Sequence, residues 1–201
     1  MLAILGASGH GKVLADIAEL TGWDQVVFFD DAWPENKVNS VWQIIGNTQD
    51  LLENLANYTG VIVAIGNNKI RQQKLKQLQS ARAKIITLIH PSAIISKYSE
   101  IGIGSVVVAG AVINPDCIIG SGAIINTCSS VGHDCILGDA VHVCPGARLA
   151  GGAVVGDRAW VGVGSSVRQL ITIGEDAIIG AGSAVVKDVK ANATVMGVPA
   201  K

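Results

Sequence analysis

Residues 113–137 read INPDCIIGSGAIINTCSSVGHDCIL, and an aliphatic side chain returns there at every sixth position: Ile113, Ile119, Ile125, Val131 and Leu137. Four residues after each of the first four stands a small side chain, namely Cys117, Ala123, Ser129 and Cys135. Extended outward, the same count runs from Ile89 to Val185, and all seventeen positions hold Ile, Val or Leu. The small position is Ala, Ser or Cys in fourteen of the seventeen, with Val141, Ile171 and Val189 as the exceptions. The residue directly after the aliphatic is glycine eight times: Gly102, Gly120, Gly132, Gly138, Gly156, Gly162, Gly174 and Gly180. An unbroken internal repeat outranks local propensity as an indicator of fold.

A period of six reads as a parallel β-helix of triangular section. Each hexad supplies a short strand and a corner, and three hexads close one coil, so residues three hexads apart stack by parallel pairing at about 4.8 Å. The aliphatic fills the prism, the small residue sits where the turn leaves little room, and glycine is expected to supply backbone freedom at the corner. Seventeen hexads make between five and six coils. Cys117 and Cys135 share the small column one coil apart, so their thiols should meet in the core.

Before Ile89 the pattern is different. Met1–Leu5 reads as a strand, followed by the glycine-rich Gly6–Gly11 and a helix from Lys12 to Leu20. Gln25–Phe29 is a second strand ending in Asp30 and Asp31, and Thr48 reads as the N-cap of a helix over Gln49–Leu55. Val61–Ile65 is a third strand, Lys69–Leu78 a helix with a basic outer face, and Lys84–Leu88 a fourth strand. Strands alternating with helices indicate a small parallel α/β sheet of Rossmann type. The expected domains are therefore residues 1–85, a Rossmann-like α/β unit, and residues 86–201, the β-helix.

Composition narrows the function classes. A net charge of −1 over 201 residues leaves no electrostatic footprint for nucleic acid or anionic membrane. Met1–Leu5 is too short for a signal peptide or a span, and no other apolar run reaches about 18 residues, so a cytoplasmic protein is expected. Cys117, Cys128, Cys135 and Cys144 are then expected as thiols.

Two places carry candidate chemistry. His133 stands at a corner in Val131-Gly132-His133-Asp134-Cys135, with Asp134 placed to orient one ring nitrogen and leave the other as a base. Gly151 lies three hexads further on, so its N–H should sit one coil above His133 as an oxyanion donor, and Asn126 is a plausible polar neighbour. The plain alternative is an ordinary surface histidine. His142, a hexad and a half beyond His133, cannot share that corner and reads as facing a second ligand or as structural. Only His133 and His142, with His90 at the edge, lie in the repeat, which does not fill a three-ligand zinc site, so no metal is expected.

The second place is Gly6-Ala7-Ser8-Gly9-His10-Gly11-Lys12, a turn between strand and helix whose amides could meet phosphate. It is neither a Walker loop, because Val13 stands where Ser or Thr would bind magnesium, nor a G-x-G-x-x-G fingerprint. Asp30 and Asp31 at the end of the second strand could take ribose or uracil polar groups. The alternative is a tight structural turn.

Taken together, Gly6-Ala7-Ser8-Gly9-His10-Gly11, Phe29-Asp30-Asp31, Ala64-Ile65-Gly66-Asn67-Asn68 with Ile70-Arg71, Leu88-Ile89-His90, Asn126-Thr127, the His133 segment and Met196-Gly197-Val198-Pro199-Ala200-Lys201 resemble a known family over the whole chain. The sequence is similar to the UDP-4-amino-sugar N-acetyltransferases of the bacillosamine pathway, and more broadly to the sialic-acid O-acetyltransferase-like hexapeptide group. The resemblance implies a left-handed coil, acetyl-CoA as co-substrate, and a homotrimer with three sites between β-helices. It carries a UDP-linked amino sugar onto Ser8, Gly9, His10, Asp30, Asp31 and Gly66, with Asn126 on the acceptor side. It carries the base onto His133, the acid that raises its basicity onto Asp134, and acetyl-CoA contacts onto His142, Gly151, Val163 and Ala181. Two positions depart from its pattern: Asp134 stands for a glutamate and Ala181 for a glycine. The rival readings are a sialic acid O-acetyltransferase and, from another class, a non-catalytic nucleotide-sugar-binding solenoid.

Overall fold

The structure, a computed structural model, describes all of Met1–Lys201. The chain divides into two compact units, Met1–Pro91 and Ser92–Lys201.

The first unit is an α/β sheet. β1 (Leu2–Leu5) leads into α1 (Gly9–Leu20) and β2 (Val26–Phe29). A short hairpin follows, β3 (Val38–Asn39) and β4 (Trp42–Gly46), then α2 (Thr48–Glu53), β5 (Gly60–Val63) and α3 (Asn68–Ser80). The strand order is β3-β4-β2-β1-β5, parallel except for the β3–β4 pair. β1, paired on both sides, is buried at every position, as expected of a central parallel strand, and so is β5 at the end of the order. The segment expected as a fourth parallel strand contributes one bridge, Ile85 to Val61, and the N–H of Ile86 donates to the Val61 carbonyl at 3.0 Å. These bonds keep residues 84–86 with the first sheet.

Two local expectations change. Asn47 caps α2, accepting from the N–H groups of Gln49 and Asp50, while Asp50 accepts from the Asn47 N–H in a capping box. Thr48 is the first helical residue, and its hydroxyl accepts from Lys74. α3 does not carry all its basic residues outward. Arg71 is fully buried and donates to the Ile65 and Gly66 carbonyls and to Asn68 Oδ1, at 2.9, 3.0 and 2.8 Å.

The second unit is the solenoid. Up to Val185, two-residue strands recur at every hexad and pair in parallel with strands three hexads away, as in Ile113 with Val131 and Ile119 with Leu137; only the last pairings, such as Ile179 with Val195, are shorter by two residues. The inward aliphatics and the small column form one buried core from Val107 to Val189. Where the small residue is serine, its buried hydroxyl is satisfied: Ser105 donates to the Gly120 carbonyl and Ser165 to that of Gly162. Cys117 and Cys135 are buried free thiols that donate to the carbonyls of Gly132 and Ala150. Burial raises both, Cys135 to about 11, which holds them protonated.

The corners work differently from the expectation. Every sixth residue from Gly104 to Gly182 has positive φ, and half of these are not glycine: Asp116, Cys128, Asp134, Ala140, Arg158, Leu170 and Asp176 adopt φ of 53–62°. Backbone freedom is therefore used three residues after the aliphatic. The glycine directly after the aliphatic answers a shortage of space. A methyl group on Gly102 or Gly120 would lie 2.5 Å from the backbone of the next coil.

Candidate active site

The corners stack into three columns, tied by backbone bonds between coils. Pro115, His133 and Gly151 form one, because their carbonyls accept from Asp134, Gly152 and Leu170. Ser121, Asp139 and Asp157 form another, and Thr127, Pro145 and Val163 the third.

His133 lies on the first column with its side chain 70 % exposed. Asp134 has φ of 59°, and its carboxylate Oδ2 lies 2.6 Å from His133 Nδ1. An aspartate's reach is thus sufficient where the family pattern has a glutamate. With Nδ1–H donated to Asp134, the lone pair of the ring sits on Nε2. Gly151 closes the other side. A methyl group there would stand 2.5 Å from both Nε2 and Cε1, so the imidazole rests against a bare backbone. The Gly151 carbonyl accepts from Leu170, while its N–H donates to no carbonyl of the neighbouring coils. The three residues line a cavity of about 420 Å³ with Gly152, Gln169 and Leu170.

Gln169 and Leu170 were not singled out from sequence. They follow His133 and Asp134 by two whole coils, so the stacking count carried one step further would have found them.

Asn126 lies elsewhere. Its Oδ1 accepts the Thr127 N–H at 2.8 Å, and its amide nitrogen lies 3.0 Å from His142 Nε2. That amide donates to Nε2, which places the His142 proton on Nδ1. His142 is buried and packs edge-on against Trp160 at 4.4 Å. Val163 and Ala181 are exposed and stack on the third column, where the Val163 carbonyl accepts from Gly182. The structure therefore unites His133, Asp134 and Gly151, and sets Asn126–His142 and Val163–Ala181 on other parts of the same solenoid. No group of three or more His, Cys, Asp or Glu is arranged to hold a metal ion.

In the first unit the glycine turn is shaped by close approach. Gly6 has φ of 112°, and a methyl there would meet the Ala64 carbonyl at 2.8 Å; one on Gly11 would meet the Gly6 carbonyl at 2.5 Å. Gly9 and Gly66, by contrast, face open space. Ser8 caps α1 without a side-chain bond, and its carbonyl accepts from Asn39 Nδ2 on the hairpin. A cavity of about 270 Å³ opens here, lined by Gly6, Ser8, Asp30, Asp31, Gly66 and Lys74 among others.

The two aspartates already serve the protein. Asp30 accepts from the N–H groups of Ala7 and Ala32, at 2.6 and 2.9 Å, and so pins the turn. Asp31 accepts from Thr48 N–H and Lys74 Nζ. His10 does not line the cavity. Its Nε2 is buried with no hydrogen-bond partner, and burial, then the nearby Arg71 charge, lower its pKa to about 4.

Residues 1–78 match the family described as PglD N-terminal domain. A single-residue variant of perosamine N-acetyltransferase from Caulobacter crescentus, solved with CoA and GDP-perosamine, is 37 % identical, with 100 % of this chain and 95 % of that one covered and a TM-score of 0.95. The acetyltransferase domain of PglB from Neisseria gonorrhoeae is 40 % identical, with 100 % and 98 % covered and a TM-score of 0.94, and the same domain has been solved with acetyl coenzyme A. Fold and site together define an acyltransferase of the hexapeptide-repeat class. Within that class the chain belongs to the PglD-like sugar N-acetyltransferases. UDP-N-acetylbacillosamine N-acetyltransferase of Bacillus subtilis (strain 168) is 36 % identical over 114 residues, and the match spans 54 % of this chain and 51 % of that relative.

Proposed function

We propose that this protein transfers the acetyl group of acetyl-CoA to the 4-amino group of a UDP-linked amino-dideoxy sugar, as in UDP-N-acetylbacillosamine synthesis. The observation that carries the reading is the His133 ring, held by Asp134 at 2.6 Å with Nε2 turned to a cavity whose wall is the Gly151 backbone. His133 Nε2 removes a proton from the amine as its nitrogen attacks the thioester carbonyl. The Gly151 N–H donates to the oxygen that becomes negative. The C–S bond then breaks, and the imidazolium returns the proton to the departing thiolate. An amine is already a competent nucleophile, so no acyl-enzyme is needed, and positioning supplies most of the rate.

The sugar nucleotide belongs to the cavity of the first unit, with phosphates at the Gly6–Gly11 turn, where Ser8, Gly9 and Gly66 leave room. Asp30 and Asp31 hold that turn and its walls, and His10 stands at the start of α1 behind it. Acetyl-CoA lies along the solenoid, with Val163 and Ala181 as wall residues and the Asn126–His142 pair as a further contact. These stand on a different column from His133, so a second copy of the chain supplies the opposite wall, and the working form is a homotrimer. The exposed column Ile118, Ile136 and Val154 on one flat face favours such self-association. On this reading the enzyme works in the cytoplasm; no helix of the chain is long and apolar enough to cross a membrane.

Thiol release from acetyl-CoA, measured against 4-amino, 3-amino and hydroxyl acceptors, tests the reading. The 4-amino nucleotide sugar should be preferred. Turnover with sialic acid alone would transfer the protein to the O-acetylating branch, and no turnover with any acceptor would leave a binding solenoid.

A further inference from the structure

One cation and one carboxylate stand side by side in the cavity of the first unit. Lys74 Nζ lies 2.7 Å from Asp31 Oδ2 and 2.7 Å from Thr48 Oγ1. Asp31 Oδ1 accepts the Thr48 N–H at 3.0 Å, which fixes the carboxylate. Burial alone would raise the Asp31 carboxyl, but the bonds from Lys74 and Thr48 bring it down to about 2, so it is ionised at neutral pH. Both residues line the cavity, together with Ile65 and Ile70. An ammonium has three N–H donors, and two are engaged here; each carboxylate oxygen accepts more than one hydrogen bond. The pair therefore offers one donor and one acceptor next to each other.

Resting on the reading of this cavity as the nucleotide site, we propose that Lys74 and Asp31 select the nucleobase by its lactam edge, Lys74 donating to a ring carbonyl and Asp31 accepting the adjacent ring N–H. Uracil and guanine both present that edge. Cytosine and adenine present its inverse, a bare ring nitrogen beside an amino group, which would set lone pair against carboxylate and amino hydrogens against ammonium. Ile65 and Ile70 supply apolar surface for the ring. A site built to bond a particular edge discriminates strongly, because the wrong base leaves its charged groups unpaired.

Calorimetry on the full chain with UDP, GDP, CDP and ADP, which share ribose and diphosphate, tests this. UDP and GDP should bind at least about tenfold more tightly than CDP and ADP. Lys74→Met should bring all four within about threefold of one another by weakening UDP and GDP alone, while Lys74→Arg, which keeps a donor, should retain the preference. Equal weakening of all four by Lys74→Met would make Lys74 a structural tie and overturn the proposal, as would a wild-type protein holding CDP as tightly as UDP. If none of the four binds while acetyl-CoA turnover on an amino sugar persists, the nucleotide reading itself fails, and the proposal with it.

Discussion

Ile113 and Val131 stand three hexads apart and do the same job in successive coils, whereas Asp30 and Asp31 are adjacent and hold entirely different partners. In the solenoid, position in the repeat assigns burial, pairing and corner. In the α/β unit each polar residue has its own private set of bonds. The contrast shows where chemistry can be placed: a periodic wall is rigid and interchangeable, and its few exceptional residues, such as His133, stand out against it. A unit of individual contacts can instead shape a pocket.

The largest effect that would break this comparison is at the exceptional residue. His133→Ala should lower kcat by about 10²–10⁴, the usual worth of a general base, with melting unchanged because the side chain is exposed. Activity within tenfold of wild type would remove His133 from the mechanism. Gly151→Ala should cost about 10² in kcat, since its methyl must displace the imidazole, and misplacement of about 1 Å is worth that much. Stability near wild type together with intact activity would show that the ring does not need the bare backbone.

Arg71→Met sharpens the difference between the units. It removes the guanidinium that donates to two carbonyls and to the Asn68 side chain, and should destabilise the first unit by about 2–3 kcal/mol. Calorimetric melting should then show an earlier transition ahead of an unaltered solenoid transition; a single shifted transition would mean the units melt as one.

A further effect is confined to acid pH. His10 titrates near 4 in the folded chain against 6.5 as a model value, so the unfolded state binds more protons between those limits. The neutral ring's contribution, about 3 kcal/mol at most, is complete above pH 6.5 and is lost as pH falls toward 4. His10→Gln should flatten the stability profile in that window, and an unchanged slope in urea titrations would place the ring in water.

The solenoid was legible because hydrophobic filling of a prism leaves a strict period in sequence, and stacking then names neighbours such as His133 and Gly151. The role of the repeat glycines was not, because a requirement for space and one for positive φ both select glycine; only non-glycine corners such as Leu170 separate them. In the first unit the main strands could be read, but the β3–β4 hairpin could not, since Val38–Asn39 spans two residues amid polar sequence. Asp30 and Asp31 look available on paper, and only coordinates reveal that backbone N–H groups and Lys74 claim them. Burial of Arg71 was hidden for the same reason.

The stacking of corners also governs how such a chain can change length. Loss or gain of a single hexad keeps every later aliphatic pointing inward, so the core survives intact. Placed between residues 133 and 151, it nevertheless turns the later corners by a third of a revolution relative to His133, and Gly151 would no longer lie over the ring. Only changes that leave one coil between residues 133 and 151 preserve both the packing and the stacking of this pair. The fold counts in hexads and the proposed site in threes of them, so an insertion that folding tolerates can still pull His133 and Gly151 apart, and relatives that keep this pair should vary in length outside residues 133–151.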